Sequence, residues 1–132
     1  MNNNSLAMGW AAVAGVVLLL AGALGFLNTP LVGTSETALL RSDTVHNIVH
    51  LLTGVLALGI AFGLKGEQLV NGVIGFGVLY VVIFVAVLLS PTLFGIFSVE
   101  ANAPIHVVHA AVAVVSLGVG LMARGGSASM AR

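Results

Sequence analysis

Four histidines carry most of the chemistry available to this 132-residue chain. They come as two pairs, His46 with His50 and His106 with His109, each at the head of a long apolar run. Spacings of four and three residues put both rings of a pair on one face of a helix. Imidazole suits zinc, copper and iron. Two helices that each present a pair can build a four-nitrogen site for a divalent metal from His46, His50, His106 and His109. One ring from each helix, His50 and His109, can instead ligate a haem or a chlorophyll-type pigment axially. Two other readings use the same residues. Neutral imidazoles can hydrogen-bond across helices, or to loop carbonyls, and so fix a bundle. Histidine also changes charge near neutral pH, so the pairs, with Asp43 and Glu100 beside them, can act as a pH-sensitive gate.

The rest of the chain excludes more than it offers. No glutamate follows His46, so the HExxH motif of zinc proteases is missing. Cysteine is absent, which removes disulfides, thiolate metal sites and thiol nucleophiles. No serine or threonine is set beside a base and an oxyanion hole, and no phosphate loop is present, so the chain does not read as an enzyme. Net charge is zero and the basic residues are scattered, which gives no footprint for nucleic acid. No charged residue falls at the middle of an apolar run, where a transporter would hold a coupling ion.

The elements that must position the histidines follow from composition. Residues are 59% hydrophobic and 6% charged, against roughly 25% charged in soluble domains. So little charge cannot coat a water-facing surface, and the expected partner is the lipid bilayer. Four apolar runs, about 6–27, 44–64, 69–89 and 103–123, are each long enough to span it. They form one membrane domain, an all-α integral membrane four-helix bundle. Leu6–Leu27 has no basic residue before it and is longer than a signal-peptide core, so it reads as a retained helix. Trp10 would lie at the headgroup level.

The first connection, Asn28–Asp43, is broken by Pro30 and Gly33, with a short turn expected over Thr37–Leu40. Ser42, Asp43 or Thr44 can cap the second helix. The tight turn Lys65–Gln68 makes helices two and three antiparallel neighbours. Pro91 ends helix three; Phe94 and Phe97 can dip into the interface; Pro104 suits the first turn of helix four. Gly125–Arg132 reads as a loose tail. Lys65, Arg124 and Arg132 share one side against Arg41 on the other. The positive-inside rule then gives a multi-pass protein of the cell inner (plasma) membrane, with cytoplasmic N- and C-termini and the histidines at the outer face.

A shift of 59 positions lays His50 on His109, Leu58 on Leu117 and Gly59 on Gly118. Each half is then a long helix, a loop with Pro and Gly, and a histidine-headed helix. Such halves are two parallel two-helix repeats about an axis along the membrane normal. Helix two carries the stripe His46, His50, Gly54, Ala57 and Ala61; helix four carries His106, His109, Ala113, Ser116 and Gly120. Small residues let helices approach closely in lipid, so these stripes predict that helices two and four cross near the bundle axis. Helix one has its own small stripe, Ala11, Gly15, Gly22 and Gly25. Tyr80 and Phe84 read as core or lipid-facing.

The paired pattern VHNIVHLLTG and NAPIHVVHA resembles the bacterial and archaeal membrane proteins grouped as domain-of-unknown-function family 4383. The resemblance runs over roughly Gly9–Met122. Its most specific part is His50 with Gly54 four residues on and Asn47 just before. The second copy departs from it, with Ala113 opposite Gly54 and His106 opposite Asn47. The resemblance implies four helices and no activity. The resulting expectation is a small membrane scaffold or accessory subunit with a histidine cluster at its outer face, with a haem-, pigment- or metal-binding protein as the alternative. The thin loops leave room for a homo-oligomer or a place in a larger membrane complex.

Overall fold

The computed structural model describes residues 3–130, with side chains over 4–125. Four helices make up most of it: α1 Asn3–Phe26, α2 Thr44–Gly63, α3 Gly66–Leu89 and α4 Ala103–Met130. Each is long and apolar enough to cross a membrane. In lipid a helix satisfies its backbone internally, which is why runs rich in Val and Ile are helical here. α1 starts at Asn3, so the polar opening is partly helical. α4 continues past Arg124 to Met130. The tail expected to be loose is therefore helical that far; glycine weakens a helix without forbidding it. Met1, Asn2, Ala131 and Arg132 lie outside the described residues.

Both long connections sit at one end of the bundle, and the α2–α3 turn sits at the other. The first connection holds a two-residue parallel ladder, β1 Val32–Gly33 with β2 Leu40–Arg41. A turn at Glu36–Thr37 precedes β2. The second connection, residues 90–102, turns through Leu93, Phe94 and Gly95, all with positive φ. Asn102 ties the two together: its Nδ2 donates to the Leu39 carbonyl at 3.1 Å, and its Oδ1 accepts from Arg41 N at 3.2 Å.

The helices pack as two hairpins, α1 with α2 and α3 with α4. The glycines show why. A Cβ on Gly54 of α2 would stand 3.0 Å from the Gly15 carbonyl oxygen and 3.0 Å from Leu19 N, both backbone atoms of α1. A Cβ on Gly77 of α3 would meet Leu117 N of α4 at 2.9 Å. Each contact lets two backbones close to a distance that any side chain would prevent. Leu58 covers Gly15 in the first hairpin and Leu117 covers Gly77 in the second, so the residues aligned by the 59-position shift do the same job in each half.

One expectation is overturned by this pairing. The stripes of α2 and α4 meet only through their histidines; below these, Gly54 packs on α1 and Gly120 meets Ile74 of α3. Among the described residues α2 and α4 make no close backbone contact. The stripes were right about close approach and wrong about the partner, because each half satisfies its own glycines first. The short α2–α3 turn does make those helices antiparallel neighbours, though they pack less closely than the two hairpins. They touch where Gly72 meets Ile60 and Leu64 near the turn, and they diverge toward the loop end.

Polar bonds stitch the hairpins together. Trp10 Nε1 donates to Ser116 Oγ at 2.8 Å, joining α1 to α4. Its indole N–H thus serves the bundle interior rather than the headgroup layer. The hydroxyls of Thr53 and Tyr80 meet at 2.7 Å between α2 and α3. Tyr80 is fully buried and packs on Phe76.

Candidate metal centre

The start of α2 is built to hold its first turn still. Asp43 is the N-cap, and its Oδ1 accepts from His46 N at 2.9 Å. Its Oδ2 accepts from the Ser98 backbone N–H and, at 2.9 Å, from Ser98 Oγ. The same carboxylate therefore caps α2 and ties down the second connection. Burial pushes the Asp43 carboxyl up, but the donors from His46, Ser98 and Val99 outweigh it and hold the group below its ordinary value of 3.8. This carboxylate is spent on structure, and Glu100 is exposed.

One turn into α2, Ser42 Oγ donates to Asn47 Oδ1 at 2.7 Å. Asn47 in turn fills the space over Gly25, where a Cβ would collide with its amide. With Asn47 seated on α1, His46 and His50 on the neighbouring side of α2 are left to reach His109 of α4. Phe97 of the second connection is buried and lies flat on the His46 ring, with centroids 4.6 Å apart and planes 2° from parallel. It is a wall of the site and not an interfacial anchor; Phe94 is the exposed one, at 73%.

Three of the four histidines come together. His46, His50 and His109 are each 1–2% exposed. One ring nitrogen from each can be chosen so that all three lie within 4.8 Å of one another. His46 Nε2 and His109 Nε2 are 3.3 Å apart. The His46 and His50 centroids are 4.5 Å apart, and those of His50 and His109 are 6.2 Å apart. His106 is not in this group and is half-buried. The rings that gather are therefore three of the four, with His106 standing outside them.

The polar accounting of the cluster is unusual. Both ring nitrogens of His50 are buried without a hydrogen-bond partner, as are Nδ1 of His109 and Nδ1 of His106. Buried polar groups are normally paired, and an unpaired one costs roughly 1–3 kcal/mol. Tyr80 borders the group, its ring 6.1 Å from that of His109. By type and spacing alone Tyr80 reads as a core or lipid-facing residue. Its position one turn before Phe84 carried no sign that Thr53 and His109 would be its neighbours.

Two nitrogens bound at about 2.0–2.1 Å to one tetrahedral ion stand about 3.3 Å apart. The His46–His109 separation meets that condition. Three neutral imidazoles from two helices with one position open is also a donor set that zinc, copper or iron accepts.

Residues 9–122 match the model of a family described as Domain of unknown function (DUF4383). No curated protein matches the chain, and no solved structure does either.

Proposed function

The chain belongs to the DUF4383 family, and from that premise, which brings no activity with it, we propose that it is a small multi-pass membrane protein holding one transition-metal ion on His46, His50 and His109. The observation that carries this reading is His50. It is buried to 1% exposure with both ring nitrogens unpartnered, beside two other imidazoles that can each bring a nitrogen to within 4.8 Å of one of its own. A metal would satisfy one of those nitrogens and turn three mutually crowding rings into one coordination shell. A purely structural scaffold is supported by the single His46–His109 contact and leaves His50 unexplained. A haem plate fits less well than a bare ion. It needs open space on both sides between axial ligands, whereas His46 lies 4.5 Å from His50 and fills that space.

Lys65 and Arg124 lie at the end away from the cluster, and Arg41 with Glu36, Asp43 and Glu100 lies at the loop end. The positive-inside rule then puts the cluster on the outer side of the plasma membrane, where it meets metal outside the cytoplasm.

The test is metal analysis and optical spectroscopy of the detergent-purified protein, before and after dialysis against zinc or cobalt(II). The expected result is one ion per chain, with the intense visible bands of tetrahedral cobalt, lost in His50→Ala and His109→Ala and kept in His106→Ala. A folded protein that takes up no metal from either solution overturns the proposal. A Soret band lost in the same variants would replace the ion by haem.

A further inference from the structure

An ion held by His46, His50 and His109 keeps its whole charge. The three rings are 1–2% exposed, and the group they form contains no aspartate or glutamate. Neutral imidazoles lend electron pairs and no negative charge. The cost of taking an ion out of water grows with the square of its charge, so a divalent ion pays about four times what a monovalent ion of the same size pays. One counter-charge is at hand. Among the described residues Asp43 is the only fully ionic side chain that is buried, with the histidines neutral. Its Oδ1 accepts from His46 N at 2.9 Å, so it stands in the turn that carries the first ligand. A monovalent ion and this carboxylate sum to zero. A divalent ion leaves one positive charge uncancelled, in a bundle whose helices are apolar enough to lie in lipid.

We propose that the site selects a soft monovalent ion, copper(I), over zinc and other divalent ions. The inference rests on the metal reading above and names the ion. Coordination number points the same way as charge. Zinc is almost always four-coordinate and completes a three-histidine site with water, whereas copper(I) is satisfied by three donors. The chain supplies three here, since His106 stands outside the group. The surroundings offer little else. Phe97 lies flat on His46, the Tyr80 ring stands beside His109, and the Tyr80 hydroxyl is paired with Thr53 at 2.7 Å. Asp43 is not a fourth ligand, because its oxygens are engaged by His46 N and by Ser98. It acts on the ion through its charge alone.

The test is displacement. The detergent-purified, full-length protein is loaded with cobalt(II) and titrated with copper(I) under ascorbate without oxygen. A parallel titration uses silver(I), a monovalent ion that needs no reductant and finds no thiol on a chain without cysteine. The expected result is loss of the visible cobalt bands at one equivalent of either ion. The preference for the monovalent ion should be at least about 100-fold in the wild type, and it should fall at least about tenfold in His50→Glu, which makes the donor set anionic. Cobalt that stays in place against one equivalent of both ions overturns the choice of ion and leaves the metal site standing. An unchanged preference in a His50→Glu protein that binds both kinds of ion overturns the charge argument. Uptake of no metal at all overturns this inference together with the reading beneath it. Displacement in the wild type decides the matter even where the variant does not fold.

Discussion

His46 and His109 face each other Nε2 to Nε2 at 3.3 Å, although the helices that carry them make no close backbone contact. Between α2 and α4 themselves, the bridge at this end of the bundle is made by side chains. The cluster is therefore held from outside itself, by Asp43 and Asn47 fixing the first turns of α2 and by Phe97 covering His46.

The ligand set can be dissected ring by ring. His46→Ala and His109→Ala should each weaken zinc or cobalt binding by at least about 100-fold, since even loss of a supporting partner costs metal sites 10–100-fold. His106→Ala should change affinity by less than about threefold, because His106 stands outside the group. Competition with a chromogenic chelator reads both. Equal losses for His106 and His109 would show that the site is assembled differently.

The glycine contacts predict a sharp contrast between positions that look alike in sequence. Gly54→Ala and Gly77→Ala each drive a Cβ onto backbone atoms of the paired helix at 3.0 and 2.9 Å. Each should cost about 1–3 kcal/mol, the usual range for overpacking. Gly59→Ala and Gly118→Ala meet nothing within 4 Å. They should be neutral or stabilise by up to about 1 kcal/mol through helix propensity. Denaturation in mixed micelles measures all four.

Asp43 makes stability fall at acid pH. Its folded pKa lies below the ordinary 3.8, so the stabilisation is fully present above that value and is lost as pH falls through the lower, folded one. The melting temperature of the wild type should drop on acidification below about pH 4, and Asp43→Asn should flatten that drop. Asp43→Ala should destabilise by about 1–2 kcal/mol at neutral pH, through loss of the cap alone. Loss of the tie to Ser98 adds to it.

Trp10 and Ser116 should be coupled. A double-mutant cycle of Trp10→Phe and Ser116→Ala should return about 0.5–1.5 kcal/mol, the range seen for interhelical hydrogen bonds in lipid. A coupling of zero would mean that the 2.8 Å bond contributes nothing.

Composition and periodicity alone determined the class, four apolar helices and the presence of two histidine-headed runs. These are local properties: charge density decides the solvent, and a run of apolar residues in lipid has no alternative to helix. Small residues at helical spacing also announced that backbones would meet. Which backbones meet was a choice among neighbours, and only the tertiary structure made it. Gly54 found α1 and Gly77 found α4, leaving α2 and α4 apart and a wedge beside α3. The same choice sorted the histidines. His46, His50 and His109 converge and His106 stands outside the group, a placement that depends on how whole helices pack and not on the order of residues along one of them.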